Sequence, residues 1–253
     1  MRADHLPMQD QSVNTYRIQA EQIILDGEII FRDLDFEFNV GEWTCIMGIS
    51  GVGKTTLLRL IAGLLQNHRN SQIIGLNGDN FAGNIAYMAQ EDLLLPWLNV
   101  IENVLLGEHL RRQSLSFSRA ESVLTKIGLE DYIQSNIATL SGGMRQRVSL
   151  ARTIIENKPI ILMDEPFSSL DTINRVKMQD ISFNSLSNHT VLLVTHDPLE
   201  AFRVGHNVVI LSEKPAQFQN IKIPENKPIR EITDPQVLRH HADLLDQLRR
   251  SSI

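Results

Sequence analysis

The sequence predicts an α/β protein built on a largely parallel sheet with helices over both faces. Short, nearly all-apolar segments, Pro159–Met163, Thr190–Val194 and Asn207–Leu211, recur between helix-compatible stretches. That is the pattern of strands buried on both sides. A glycine-rich segment, Gly48–Thr55, separates one more apolar strand from an apolar helix. With 253 residues, 42% hydrophobic and 21% charged, the chain is long and apolar enough to bury a proper core.

The elements follow in order. Residues 1 to about 14 are polar and read as a disordered lead-in. Tyr16–Ala20 alternates as a strand, Asp26-Gly27 signals a tight turn, and Glu28–Phe31 and Leu34–Val40 read as two further strands. Glu42–Met47 is a short apolar strand that runs straight into the glycine segment. Thr55–Leu65 is helix-compatible up to Gly63. Gln72–Leu76 and Asn84–Ala89 read as strands on either side of a hairpin-type turn, Asn77-Gly78-Asp79. From Asn99 to about Ser135 the residues favour helix. One helix is expected through Glu102, Val104, Leu105, Glu108 and Leu110, and another over Arg119–Ile127, closed by Gly128. After Pro215 the chain is rich in Pro, Lys and Gln and ends in a helix-like run, Ala242–Arg250. The adjacent His240 and His241 would point in different directions on that helix, which favours solvated surface over a metal site.

Composition narrows the function classes. The formal net charge of −6 argues against a protein that holds nucleic acid by bulk electrostatics. The single cysteine, Cys45, lies in an apolar run and reads as core filling. There is no apolar run near the roughly 18 residues of a membrane span, and no signal-peptide pattern. The chain is expected to be cytoplasmic and to reach a membrane only through a partner.

Three motifs carry chemistry. Gly48-Ile49-Ser50-Gly51-Val52-Gly53-Lys54-Thr55 matches G-x-x-x-x-G-K-[ST] in the required strand-to-helix context, with Thr56 next on the helix. Glycines let backbone N–H groups turn inward around phosphate oxygens, and the helix N-terminus adds partial positive charge. Lys54 can then reach the β- and γ-phosphates, and Thr55 can ligate Mg²⁺. Ile160–Glu165 is the second motif. Its apolar run places Asp164 at the carboxyl end of a buried strand, where ligands of open α/β sheets bind, and Glu165 one residue beyond. Asp164 suits Mg²⁺, and Glu165 suits a general base for an attacking water. The third motif, Leu140-Ser141-Gly142-Gly143-Met144-Arg145-Gln146-Arg147, could by itself be a loop and cap before an amphipathic helix.

In their order along the chain the three motifs resemble those of ATP-binding cassette (ABC) ATPases, whose signature is written L-S-G-G-x-x-Q-R. The likeness covers about residues 15 to 215. It implies an α/β P-loop NTPase with a RecA-like parallel sheet core, an antiparallel β subdomain and a helical insert over about 91–150. It leaves 216–253 as a short tail with a terminal helix and no separate regulatory domain. By position, Gln90 matches the Q-loop glutamine and a Mg²⁺ and water sensor, Ser168-Ser169-Leu170-Asp171 matches the D-loop, and His196 matches the switch histidine. One departure concerns adenine. Many members place an aromatic residue near the position of Leu25, where this chain has no tyrosine, and Tyr16 comes too early. Leu25 or a nearby aliphatic side chain is expected there instead.

The resemblance also implies a mechanism. Two cassettes form a homodimer head to tail, each ATP lying between the phosphate loop of one and Ser141, Gly142 and Gly143 of the other. Glu165 polarises water, His196 orients it, and Gln90 moves with the insert. Gln90–Val104 contains a Leu-Leu-Pro-Trp run around Trp97 similar to that of bacterial cassettes importing nitrate, sulfonates, taurine or thiamine-precursor pyrimidines. Trp97 either packs the insert onto the core or faces a membrane partner. The main expectation is an importer subunit on the cytoplasmic face of the cell membrane, working with two transmembrane permease subunits and, indirectly, a solute-binding protein. The alternatives are a non-transport ABC ATPase acting on DNA or ribosomes, which usually carries coiled-coil arms or a second cassette, and a P-loop kinase, which leaves Ser141–Arg147 unexplained.

Overall fold

The computed structural model describes residues 15–65, 71–74, 83–213 and 215–251. The expected lead-in and the Asn77-Gly78-Asp79 turn lie outside the described residues.

The chain opens with an antiparallel hairpin of β1 (Thr15–Leu25) and β2 (Glu28–Asn39). Asp26 and Gly27 form its turn with φ of 51° and 83°, the left-handed pair that matches strand twist. β2 is one strand where two are expected. It pairs with β1 along its length, with a register shift at Ile23/Ile24, and Asp33, at φ 51°, lies between Phe31 and the inward row Leu34, Phe36, Phe38. β3 (Trp43–Gly48) follows, then α1 (Lys54–Ile61), which ends before Gly63 at φ 70°.

β4 (Ser71–Ile74) and β5 (Ile85–Met88) do not form the expected hairpin. β4 pairs antiparallel with β1, while β5 enters the other sheet. Burial of Ala86 and Met88 ties β5 to the larger sheet.

The helical region contains α2 (Val100–Val104), α3 (Leu106–Leu110) and α4 (Phe117–Lys126). The single helix expected over residues 102–110 is interrupted at Leu105, whose ψ of 3° leaves the helical range. Asn99 starts α2 with a capping box to Glu102. Gly128, at φ 69°, follows α4 as expected. α5 (Gly142–Ile155) leads into β6 (Ile160–Asp164), α6 (Thr172–Ser185), β7 (Thr190–Val194), α7 (Pro198–Val204) and β8 (Asn207–Ser212).

The stretch expected to be a tail continues the fold. β9 (Gln217–Ile221) pairs antiparallel with β8, and α8 (Pro235–Ser251) lays Val237 and Leu244 into the core. The buried Arg230 holds this segment down, donating to the carbonyls of Phe202 at 2.6 Å and Gly205 at 2.9 Å. His240 is half-buried beside Phe202, with ring centroids 5.9 Å apart.

Two sheets result, a three-stranded antiparallel one in the order β2-β1-β4 and a six-stranded one in the order β5-β6-β7-β3-β8-β9. All pairings of the larger sheet except β8–β9 are parallel. β6 and β7 are buried at every position. Ile161, Met163, Val191 and Leu193 pack with the apolar sides of α2, α4 and α5, while Ile160, Leu162, Leu192 and Val194 pack with α1 and the antiparallel sheet. Burial on both faces is what the all-apolar runs require, and truncating Leu162 to Ala would cost about 2–5 kcal/mol. Cys45 is core, fully buried, and that burial pushes its thiol well above the ordinary value.

Candidate active site

The parallel strands align their carboxyl ends along one edge of the sheet, and the predicted residues collect there. β3 ends at Gly48 and β6 at Asp164, while Gln90 and His196 lie just past β5 and β7. A cleft of about 720 Å³ opens at this edge, within the range of small-molecule sites. Gly48, Ser50, Gly51, Gly53, Lys54, Thr55 and Thr56 line it with Gln90, Asp164, Glu165 and His196. The β1–β2 hairpin adds Leu25, Asp26, Glu28 and Ile30, so Leu25 is at the cleft and no Phe, Tyr or Trp lines it among the described residues.

The loop geometry depends on glycine at two places. Gly48 has φ 148°, and a Cβ there would lie 2.3 Å from the Leu211 carbonyl oxygen. Gly53 has φ 114°, and a Cβ would lie 2.6 Å from Ile30 Cγ2. Lys54 Nζ turns back across the loop and donates to the carbonyls of Gly48 at 2.7 Å and Ile49 at 2.9 Å. Burial lowers the Lys54 pKa, opposed by the nearby Glu165 and Asp164. Ile49 and Val52 leave the cleft: Ile49 is 70% exposed, and Val52 packs its side chain into the core.

Asp164 is almost wholly buried. Burial raises its pKa, Thr55 lowers it by hydrogen bonding, and Glu165 raises it again. Its Oδ2 is buried with no hydrogen-bond partner. Such an atom is costly unless something cationic or a donor meets it.

Glu165 adopts φ 50°, a left-handed conformation that costs an L-residue about 1–2 kcal/mol. One carboxylate oxygen, Oε2, lies 3.3 Å from Gln90 Nε2 and 3.3 Å from His196 Nδ1. Its backbone is held as well: the N–H donates to Val194 O at 2.9 Å, and the carbonyl accepts from Gln146 Nε2 at 3.1 Å and Ser168 Oγ at 3.0 Å.

Ser141, Gly142 and Gly143 are elsewhere. They begin α5, where Ser141 Oγ accepts from Met144 N–H, and they do not line the cleft. Ser141 and Gly142 are exposed, leaving the helix N-terminus open to solvent.

Several polar residues around the site have partners that local sequence pattern does not reveal. Arg145 pairs with Asp92 at 3.0 Å, and Arg152 donates to the carbonyls of Asp92 at 2.7 Å and Leu93 at 2.9 Å. These contacts tie α5 to the segment after Gln90. Arg175 pairs with Asp197, next to His196, at 3.3 Å. Arg145 and Gln146 lie inside the Leu140–Arg147 motif, which marks their position but not their partners.

Residues 31–168 match the sequence profile of the ABC transporter family, more than half of the chain. A Haemophilus influenzae protein described as an uncharacterized ABC transporter ATP-binding protein is 36% identical over 238 residues, covering 92% of this chain and 98% of that one. The aliphatic sulfonates import ATP-binding protein SsuB 1 of Rhodococcus jostii is 39% identical over 222 residues, covering 87% of each. Among solved structures, an ATP-binding subunit of an ABC transporter superposes with a TM-score of 0.67 at 25% identity, covering 77% of this chain and 85% of that one.

The fold and the cleft define a P-loop nucleotide-binding protein, an ATPase. More particularly, the chain belongs to the ABC transporter family and is an ATP-binding subunit of that family.

Proposed function

We propose that the chain powers import of a small nutrient, of the aliphatic sulfonate class, through separate transmembrane permease subunits. The observation that carries the reading is the division of the motifs. The cleft gathers the phosphate loop, Gln90, Asp164, Glu165 and His196, while Ser141 and Gly142 stand exposed and Gly143 half-buried outside it. A second copy of the chain, head to tail, would bring those residues to the nucleotide. The open N–H groups at the start of α5 are suited to phosphate oxygens.

Within one cleft the roles divide as follows. Gly48, Gly51 and Gly53, with the backbone of Ile49, Ser50 and Val52, wrap the phosphates, and Thr56 lies on the first turn of α1. Lys54 exchanges two backbone carbonyls for phosphate oxygens. The buried, unpartnered Asp164 Oδ2 and the Thr55 hydroxyl fit a hard divalent cation, so these two residues, with Gln90, would hold Mg²⁺. The ion would neutralise charge on the phosphates. Glu165 accepts the proton of the attacking water, and Gln90 and His196 position its carboxylate. Leu25 packs on the adenine side.

The membrane partner docks at Trp97. Asn103 is fully buried and bonds Leu95 N–H at 2.8 Å and the carbonyls of Leu95, Leu98 and Asn99, which fixes the Leu-Pro-Trp loop. Trp97 stands 74% exposed on that pinned loop, and Leu93, four residues earlier, is 58% exposed. Large apolar side chains held out on a pinned loop fit an interface better than core packing. The chain then sits peripherally on the cytoplasmic face of the membrane, and no described helix is long and apolar enough to cross it. The test is uptake in cells lacking this chain, with aliphatic sulfonate, taurine, nitrate and thiamine-precursor pyrimidine supplied in turn. Loss of sulfonate uptake, restored by wild type and not by Glu165→Gln, is expected. Normal uptake of all four would reject the import reading.

A further inference from the structure

We infer that Gln146 is a positioning residue for the hydrolytic step, linking the signature helix of each chain to the base of its own cleft. The inference rests on the reading of Glu165 as that base. Gln146 sits on α5, one turn after the exposed start at Ser141 and Gly142, and is itself buried. Its amide is used at both ends. Nε2 donates to the Glu165 carbonyl at 3.1 Å, and Oε1 accepts from Ser169 Oγ in the D-loop segment.

The location of the first bond matters. Glu165 is left-handed at φ 50°, a conformation that persists only when its surroundings hold it. The Glu165 carbonyl is held by Gln146, by Ser168 Oγ at 3.0 Å and by the Ser168 N–H at 3.3 Å; of these donors only Gln146 comes from another element. Releasing that peptide would let the backbone relax and swing the Glu165 carboxylate away from Gln90 and His196. ATP bound to the partner copy engages the start of α5, and a rigid helix carries any displacement to Gln146. Closure over one nucleotide is thereby communicated to the base that acts on the other. A residue doing this affects the rate of chemistry more than nucleotide affinity, because it touches neither phosphate loop nor nucleotide.

The test uses the full-length chain, with steady-state ATP hydrolysis, binding of a fluorescent ATP analogue and thermal melting measured on each variant. Gln146→Met keeps length and removes both hydrogen bonds. Ser169→Ala removes only the hydroxyl that orients the amide and is a milder second variant should Gln146→Met not fold. For Gln146→Met, kcat is expected to fall about tenfold or more with nucleotide affinity and KM within about twofold. Ser169→Ala is expected to lower kcat about threefold in the wild type and by nothing further in Gln146→Met, because both act through one amide. A folded Gln146→Met with wild-type kcat overturns the inference. So does a parallel fall of kcat and affinity, which marks a merely structural role. If only Ser169→Ala folds, a wild-type kcat there overturns it. Glu165→Gln, run alongside, separates the two readings: if it hydrolyses ATP normally, the base assignment fails, whatever Gln146 does.

Discussion

Glu200 should make the stability of this protein fall as pH rises from mildly acidic to neutral. The residue lies on α7, four positions after His196, and is 5% exposed. Burial, reinforced by the neighbouring Asp197, pushes its carboxyl up to about 8, against the pull of Thr195, Gln179 and Arg175. The native protein therefore keeps a proton that the unfolded chain releases near the ordinary glutamate value of about 4.5. The sign follows from linkage. The contribution is fully present below about pH 4.5, is lost progressively as pH rises, and is gone above about 8. Within that window each pH unit costs about 1.4 kcal/mol. Glu200→Gln stays neutral, keeps the shape, and can still accept from Gln179, whose Nε2 lies 3.2 Å from Glu200 Oε2. Urea unfolding of both proteins at pH 5.5 and 7.5 measures the effect. The stability of the variant relative to wild type should rise by about 2–3 kcal/mol across that interval. A gap that stays constant within about 0.5 kcal/mol would falsify the argument, since other titrating groups are common to both proteins. The consequence reaches the site, because the Thr195 hydroxyl that bonds Glu200 also accepts from Asp197 N–H at 3.0 Å, and His196 lies between them.

Other predictions follow from the same geometry. Glu165→Gln should cut kcat by about 10²–10⁴ while ATP still binds, with an ATP-dependent dimer visible by size-exclusion chromatography; unimpaired turnover would exclude Glu165 as the base. Gly53→Ala should destabilise the fold by about 1–3 kcal/mol and weaken ATP binding, because its Cβ would meet Ile30 Cγ2 at 2.6 Å with φ at 114°. A melting temperature equal to wild type would show that the loop relaxes freely. Trp97→Glu should leave stability within about 0.5 kcal/mol, since the side chain is 74% exposed, but abolish co-purification with the permease. Retained co-purification would move the docking surface elsewhere.

What could be read from the sequence, and what could not, divides by the range of the interactions. Asp164, Glu165, Gln90 and His196 are legible in the sequence because each ends or follows a short apolar strand, and parallel strands bring their carboxyl ends to one edge. The Asp26-Gly27 turn was legible because its left-handed pair is a local requirement. Pairing between distant strands was not. β4 and β5 flank a turn signal yet join different sheets, since their partners, β1 and β6, lie far away in sequence. β9 reads as tail in the sequence because its polar residues carry no apolar alternation; it is an edge strand with one bonded neighbour. The same limit hid the second layer of the site. Gln146, Arg145, Arg175 and Glu200 sit on helices, where a polar residue at an inward position looks like a surface residue until its partner is known. Those partners are the Glu165 carbonyl, Asp92, Asp197 and Gln179, on other elements and loops. The side chains expected to touch nucleotide were thus available from local pattern. The side chains that set their positions had to await the fold, because burial makes a polar group choose a partner and sequence does not record that choice.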